Sequence, residues 1–498
     1  MKRDIGQVVK RVVIAGGGTA GWVTAAVLAE QLGQLIEITL VESEEIGTVG
    51  VGEATFPTVR NFHILCNLDE RAFMSASQGS FKLGISFENW ARKGDRYIHS
   101  FGTIGRSTWM GDFHHFWLQA RAEGYEGGLS DLCLEYKAAE QGKFAISDKV
   151  NINYAYHFDA GLYARYLRQV SEPKGVKRIE GKIVDVAQNG ETGFIEALTL
   201  DNGQRIEGDL FIDCTGFRGL LIEQKLKAGW EDWGKWLRND SALAVQTPST
   251  DEIPPFTRAI AHEAGWQWKI PLQHRVGNGL VYASDYISEE DARKTLIANL
   301  DREPLFEPRL IRFRAGRRLK AWDKNVIAMG LASGFIEPLE STSIHLFQIA
   351  ATRLVQLFPF SGCTPSIMAR NNALAQQELE KVRDFIIMHY KLTERDDTPY
   401  WRDCGAMEIP DSIAQRIALF RENGLVYQEG DEMFRVDSWL QVMLGQRLEP
   451  QGRHHMGRML PQDRLRAALD SLKGSVAAAV EKMPTHKQFL AQYCPGAA

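Results

Sequence analysis

The sequence predicts an α/β fold in which an open parallel sheet binds a dinucleotide. Three observations carry that expectation. A β-branched run, Val12-Val13-Ile14, meets the turn Gly16-Gly17-Gly18-Thr19-Ala20-Gly21. An apolar helical pattern from Val23 to Leu32 follows, then a second strand from Ile36 to Val41 ending in Glu42. Two later segments, Asp209–Phe217 and Asn325–Gly334, again run from a buried strand into a glycine-containing turn. In the dinucleotide fingerprint, the first glycine permits the turn and the second lets the backbone approach a pyrophosphate. The third lets helix and strand pack closely, and the free N–H groups of the helix start face the anion. Those roles fall on Gly16, Gly18 and Gly21, with Thr19 and Ala20 between them and Glu42 suited to a ribose hydroxyl.

Composition excludes several classes. The 498 residues can bury a large core and allow roughly two to four domains. Apolar residues at 44% and charged residues at 24% are ordinary for a soluble globular chain. A net charge of −5 gives no reason to expect nucleic acid or an anionic membrane as partner. The six cysteines lie far apart with no CxxC, so neither a zinc site nor a disulfide framework is expected, and a reducing cytoplasm fits best. The basic residues Lys2, Arg3, Lys10 and Arg11 precede an apolar stretch, but the glycine turn explains that stretch better than a signal peptide does. No window of 18 apolar residues predicts a transmembrane helix. A monomer or homodimer is expected.

The remaining elements follow in order. Gly47–Thr55 holds glycines at 47, 50 and 52 and forms a loop able to lie against a flat ligand, with Val51 and Ala54 on it. Phe56–Leu68 reads as a helix with Pro57 at its start. Residues 79–130 are rich in aromatics, which suits either a core or a pocket for a planar substrate. Asp159–Val170 reads as helix, and Gly181–Ala187, Phe194–Leu200 and Arg205–Gly208 as strands, the last two joined by the hairpin signal Asp201-Asn202-Gly203. Residues 241–285 read mainly as strands, helices are expected flanking Asp291–Asn299, and Leu310–Arg314 is a further strand. Beyond Ser343 the chain turns helical, with apolar spacing through Phe347, Ala350, Leu354 and Leu357, and again over 370–390, 411–423 and 462–482. The expected organisation is a discontinuous cofactor module over 1–350, with substrate-chamber insertions at about 80–170 and 230–320, and a mainly helical region over 351–498. A single GxGxxG predicts a single dinucleotide. If that is FAD, its electrons come from elsewhere.

Three local sequences point to a family. Gly16–Trp22 reads GGGTAGW, Gly265–Pro271 reads GWQWKIP, and Phe335–Thr342 reads FIEPLEST. Together they resemble the bacterial flavin-dependent tryptophan halogenases. GTVGVGEAT at Gly47–Thr55, DCTGF at Asp213–Phe217, FIIMHY at Phe385–Tyr390 and Thr398–Arg402 support the likeness, which runs from about residue 10 to about 405. The resemblance implies the Rossmann-like FAD-binding fold of this enzyme group, with an inserted substrate region. It also implies a two-component system. A separate flavin reductase supplies reduced FAD, which forms a C4a-hydroperoxide with oxygen. A halide, chloride or bromide, attacks it. The resulting hypohalous acid reaches a lysine in a separate chamber and halogenates an aromatic ring.

Carried onto this sequence, the resemblance implies FAD contacts at Gly16, Gly18, Thr19, Ala20, Gly21, Glu42, Val51, Ala54, Gly330 and Leu339. The family lysine is Lys82, in Gly79-Ser80-Phe81-Lys82-Leu83-Gly84. Its ammonium could polarise a hypohalous acid, or its neutral amine could form a haloamine, since burial lowers a lysine pKa. Glu340 is the second catalytic candidate: a carboxylate near the ring stabilises the cationic intermediate and accepts its proton. An acid there could also offset a helix dipole, and Glu337 reads as the structural one of the two. Thr342 and Ser343 open a helix whose free N–H groups suit a halide, although the family usually has glycine where Ser343 stands. His99, Phe101, Pro338 and Ser341 are expected around the substrate ring. Trp266 and Trp268 alternate on a strand and should face one side; they serve as signature, not catalyst. His114-His115 and His454-His455 complete no ligand spacing, so no metal is expected.

The substrate expectation departs from the family. Members acting on free tryptophan carry a C-terminal segment rich in Tyr, Glu and Trp. Here about Leu425–Pro450 offers only Tyr427, Glu429, Phe434 and Trp439, scattered among charges. A more open site for indole or another aromatic, including one carried on a larger molecule, is expected. A flavin-dependent aromatic hydroxylase and a non-catalytic flavin-binding protein are the alternatives.

Overall fold

Val12 to Ala15 are buried on both faces of their strand, which β-branched residues tolerate well at the centre of a parallel sheet. The computed structural model, which describes residues 8–46, 52–147 and 151–494, places this strand, Arg11–Ala15, in the interior of a six-stranded sheet. On one side it pairs parallel with Glu37–Glu42, which pairs with Val176–Glu180. On the other it pairs parallel with Leu210–Asp213, followed by Val326–Ala328 and a short antiparallel edge, Trp322–Asp323. The connections leaving Arg11–Ala15 and Leu210–Asp213 diverge here. This is the switch point at which open α/β sheets bind ligands beyond the strand ends. Val51 lies outside the described residues, as does the rest of 47–51.

The chain divides into two compact units. One comprises Met1–Gly79, Phe158–Asp240 and Arg312–Glu380, and the other Ser80–His157, Ser241–Ile311 and Lys381–Ala498. The first holds the parallel sheet. Its helices include Thr19–Leu32, Thr58–Leu65, Ala160–Ser171 (capped by Asp159 accepting from Leu162 N at 2.9 Å) and Ser343–Gln356. A three-stranded antiparallel meander, Ile183–Gln188, Ile195–Leu200 and Arg205–Glu207, packs its Val186, Ile195 and Leu198 with Val13, Val41 and Phe211. The Asp201-Asn202-Gly203 turn closes it, with Gly203 at φ 81°.

The second unit corrects the expectation of one parallel sheet. It holds a seven-stranded, mainly antiparallel sheet in which Ser241–Pro248, Arg275–Tyr282, Gly265–Pro271 and Thr257–Ala261 lie side by side. Thr257–Ala261 then pairs parallel with Gly84–Glu88, and Arg96–Ser100 forms the far edge. Short hairpins, unlike helical crossovers, favour antiparallel neighbours, and these strands are joined by short turns. Helix Glu289–Ala298 covers one face through Ala292 and Leu296, packed on Leu243, Val245 and Leu280. The helical run expected over 351–498 is shared: residues up to Glu380 belong to the first unit, and those from Lys381 to the second. Among the described residues, no helix is long and apolar enough to cross a membrane.

Candidate functional site

In the first unit the glycine turn takes the shape its residues predict. Gly16 sits at φ 109°, and a Cβ there would lie 2.4 Å from the carbonyl oxygen of Cys214. A Cβ on Gly21 would lie 1.9 Å from the oxygen of Gly16, so helix and strand meet backbone to backbone. At Gly18 an added Cβ would meet nothing within 4 Å. The helix it caps has no side-chain cap and no acid in its first turn, so its dipole and N–H groups are left for an anion. This open glycine on an uncapped helix fits a pyrophosphate. A Cβ on Gly330, at φ 65°, would come within 2.7 Å of the Ala20 methyl, which places these two residues against each other. Glu42 accepts from the Trp22 indole N–H at 3.3 Å and from Arg178 Nε at 2.5 Å, with its carboxylate directly behind Gly17. Arg178 was not foreseen; its signal is a basic residue on the strand beside Glu42.

Asp213, in the DCTGF segment, anchors the second turn. It accepts from Thr215 N at 3.0 Å, Thr215 Oγ1 at 2.6 Å, Leu221 N at 2.8 Å and Ile222 N at 2.8 Å. A buried carboxylate with four donors is a fastener for the loop rather than a reactive group.

The turn before helix Ser343–Gln356 is unusual. Glu340 and Ser341 stand consecutively in the left-handed region, at φ 67° and φ 60°. Neither is glycine, and each such residue costs about 1 kcal/mol or more, so the surroundings must hold them there. Glu340 is 1% exposed. Glu337 is also buried and accepts from Asn239 Nδ2 at 2.7 Å, the behaviour of a structural acid. Leu339 and Thr342 are buried as well, and the Thr342 hydroxyl has no hydrogen-bond partner among the described residues. The helix it opens carries no acid in its first turn. Pro338, Ser341 and Ser343 flank this corner, and Ser341 N donates to the Pro338 oxygen at 3.0 Å. An unpartnered buried hydroxyl on a helix N-terminus is chemically suited to a small anion.

The second unit holds the other candidates. Lys82 ends the short strand Ser80–Lys82, paired antiparallel with Ala155–Phe158, and is 0% exposed. Its ammonium lies 5.2 Å from the centre of the Phe101 ring, within cation–π range. On the same strand face, Ser80 Oγ donates to the Pro271 oxygen at 2.6 Å and so accepts from His157 Nδ1 at 3.0 Å. His157 Nε2 then accepts from Thr257 Oγ1 at 2.9 Å. Burial, then the charges of Lys82 and His486, push the His157 pKa well below the usual imidazole value. A neutral histidine in one fixed tautomer therefore stands beside Lys82.

His99 and Phe101 are buried, with ring centres 6.3 Å apart in an edge-to-face arrangement. Phe385 and Phe434 extend the aromatic wall, at 5.7 Å and 6.2 Å from His99. Trp266 and Trp268 do share one side of strand Gly265–Pro271, their rings 6.2 Å apart, and neither indole N–H has a partner among the described residues. Of the aromatic stretch 79–130, Phe81, Phe87 and Trp90 are core, whereas Trp109 is 93% exposed. His114 Nε2 meets the Gly424 oxygen at 2.7 Å, and His115 Nδ1 accepts from His454 N at 3.4 Å. Among the described residues, no group of three or more His, Cys, Asp or Glu could hold a metal ion.

The model of the family described as "Tryptophan halogenase" matches residues 11–462. The chain belongs to the tryptophan halogenase family. This halogenase is thus a flavin-dependent enzyme with FAD as cofactor, and the match sets aside the hydroxylase and non-catalytic alternatives. Its structure superposes on Xcc4156, a flavin-dependent halogenase from Xanthomonas campestris, with a TM-score of 0.96 and 52% identity, over 98% of this chain and 99% of that one. BrvH, a flavin-dependent halogenase from Brevundimonas sp. BAL3, gives a TM-score of 0.94 and 43% identity, over 98% and 99%. Tryptophan 6-halogenase SttH from Streptomyces toxytricini is 38% identical over 87% of this chain and 89% of its own length. The α/β fold with a FAD-binding parallel sheet and helical C-terminal part is that of these halogenases.

Proposed function

We propose that this halogenase installs chloride or bromide on an electron-rich, indole-type aromatic carbon, with Lys82 and Glu340 as its catalytic residues. When bound, reduced FAD with oxygen and a halide supplies a hypohalous acid. Gly16, Gly18, Thr19, Ala20, Gly21, Glu42, Val51, Ala54, Gly330 and Leu339 would hold the FAD, and Thr342 with Ser343 the halide. Lys82 orients the oxidised halogen through its ammonium hydrogens. The carboxylate of Glu340 would stabilise the cationic ring that forms on attack and take its proton. His99, Phe101, Pro338 and Ser341 orient the ring.

The observation that carries this reading is the complete burial of Lys82 against the Phe101 ring, at the position of the family lysine. Withdrawing a lysine from water costs free energy that pairing, hydrogen bonding or neutralisation must offset, so full burial is unusual for this residue type. The C-terminal segment supports a small aromatic over free tryptophan. Phe434 stacks on Phe385 at 3.6 Å, Trp439 meets Phe385 edge-on at 4.7 Å, and both are buried in packing. A separate flavin reductase is the electron source. The six cysteines are all free, which suits a reducing cytoplasm.

The test supplies FAD, a flavin reductase, NADH and bromide or chloride, and offers indole, tryptophan and several phenols. Products are read by mass spectrometry beside Lys82→Ala. Halogenated indole that disappears in the variant, with FAD binding and melting retained, is the expected result. Halogenation surviving Lys82→Ala removes Lys82 from the mechanism, and preferential halogenation of free tryptophan overturns the substrate reading.

A further inference from the structure

Among the described residues, strand Arg96–Ser100 is the edge of its sheet, with no neighbouring strand along its outer side. At Ser100 a side chain fills that place. Gln441, on helix Val436–Gly445, accepts from Ser100 N at 3.0 Å through Oε1 and donates from Nε2 to the Ser100 oxygen at 3.1 Å. The carboxamide thus pairs with the Ser100 backbone as a residue of a neighbouring antiparallel strand would, N–H to oxygen in both directions. Ser100 Oγ donates to the same Oε1 at 2.8 Å. The amide cannot be flipped without opposing donor to donor and acceptor to acceptor. Both residues are buried.

Ser100 is the residue between His99 and Phe101. The next peptide is held too, with the Phe101 oxygen accepting from Asn153 Nδ2 at 2.9 Å while Asn153 N donates to Glu135 Oε1 at 2.8 Å. A Cβ on Gly102 would lie 2.3 Å from Glu135 Oε2 and 2.4 Å from Cys133 Sγ, which leaves that backbone no lateral room. From the C-terminal helices Gln441 grips the segment at both the N–H and the C=O of one residue, and Arg435 Nη2 also reaches the Phe101 oxygen at 3.5 Å.

We propose that Gln441 is a positioning residue for the aromatic substrate: it sets where His99 and Phe101 stand relative to Lys82, and so which ring carbon is halogenated. This rests on the reading of His99 and Phe101 as substrate-facing residues. The lysine ammonium and the Phe101 ring are 5.2 Å apart, so a shift of the edge strand by a fraction of that distance presents a different C–H to the same lysine. Helix Val436–Gly445 lies in the segment that departs from members acting on free tryptophan. It would still govern selectivity here, by gripping the strand behind the substrate.

The test compares Gln441→Leu, which removes all three hydrogen bonds to Ser100, with Gln441→Glu, which keeps the acceptor and loses the donor. Bromination of 3-methylindole, whose ring offers several C–H positions, is read as a regioisomer ratio. KM values for indole and for bromide are measured in parallel. The expected result is a changed ratio and an indole KM raised about tenfold, the effect of losing buried hydrogen bonds, with the bromide KM within twofold of the parent. A role in folding alone lowers the melting temperature and the amount of active enzyme but leaves the ratio unchanged, and that outcome overturns the proposal. If Gln441→Leu does not fold, the ratio given by Gln441→Glu decides on the same criterion. Phe101→Leu separates the two levels of the argument. If it changes neither ratio nor indole KM, the substrate-face reading fails. If it changes them and the Gln441 variants do not, only the positioning role fails.

Discussion

Gly18 and Gly21 stand three residues apart in the same turn, yet adding one methyl to each should have opposite consequences. At Gly21 the new Cβ would sit 1.9 Å from the Gly16 carbonyl oxygen, whereas real Cβ atoms essentially never approach a neighbour closer than 3.0 Å. Helix Thr19–Leu32 would have to retreat from its strand by ~1 Å in a close-packed core, at a cost of about 3 kcal/mol or more. At Gly18 the methyl meets nothing within 4 Å, and φ of −70° suits any L-residue. Gly18→Ala should therefore fold as well as the parent, or up to ~1 kcal/mol better through a less flexible unfolded chain. The methyl would occupy the space into which the backbone N–H groups face. Loss of one charge-assisted hydrogen bond, about 1.5–3 kcal/mol, lowers FAD affinity by roughly 10- to 100-fold. Scanning fluorimetry without FAD and titration by flavin fluorescence measure the two effects separately. Gly21→Ala should melt several degrees lower; Gly18→Ala should melt normally and bind FAD weakly. If Gly18→Ala binds FAD like the parent, the open glycine is not the pyrophosphate seat. If Gly21→Ala melts like the parent, the backbone contact does not constrain the fold.

Three further outcomes are expected. Thr342→Val removes a buried hydroxyl that has no partner among the described residues, so the melting temperature should hold or rise. The KM for bromide should rise several-fold while that for indole stays constant, and an unchanged bromide KM counts against the anion site. Glu340→Gln keeps the side-chain shape but removes the proton acceptor; kcat should fall by ~10²–10⁴ with little change in melting, and a loss under tenfold would demote the carboxylate. His63, pushed by burial down to about 3, stays neutral in the fold while its unfolded counterpart protonates near 6.5. Stability is then fully present above pH 6.5 and is lost as pH falls toward 3, by at most ~1.4 kcal/mol per pH unit from this group. Thermal melts of His63→Phe should show a shallower decline between pH 6.5 and 4, whatever their offset, and an equally steep decline would refute the assignment.

The nucleotide half of the fold was legible because its signals are local. Gly16, Gly18 and Gly21 lie within six residues, and each meets or avoids its neighbours as its fingerprint role requires. The shared side of Trp266 and Trp268 followed from strand period alone. The second sheet was not legible, since the pairing of Thr257–Ala261 with Gly84–Glu88 joins residues far apart in sequence. Nor was the left-handed pair Glu340–Ser341, because such conformations are ordinarily announced by glycine or asparagine, and here tertiary packing imposes them. Helix Val436–Gly445 carries no such local signal because Ser438 to Met443 are all buried, which erases the amphipathic rhythm that marks a surface helix. Asp213 read as part of a nucleotide turn, and only the geometry reveals the four donors it gathers.

The interleaving of the two units bears on how the protein is made. Each is assembled from three stretches of chain, and the first is complete only at Glu380. Strand Arg11–Ala15 leaves the ribosome early, but its partner Leu210–Asp213 emerges some two hundred residues later and Val326–Ala328 later still. At ordinary rates of synthesis the nascent parallel sheet waits roughly 15–65 s for its last strands. During that interval Val12, Val13 and Ile14 present an unpaired apolar edge. Slow codons between Ala15 and Val326, or overproduction without chaperones, should therefore reduce soluble yield more than any defect of the finished fold would suggest. Neither unit can be obtained by trimming one end of the gene.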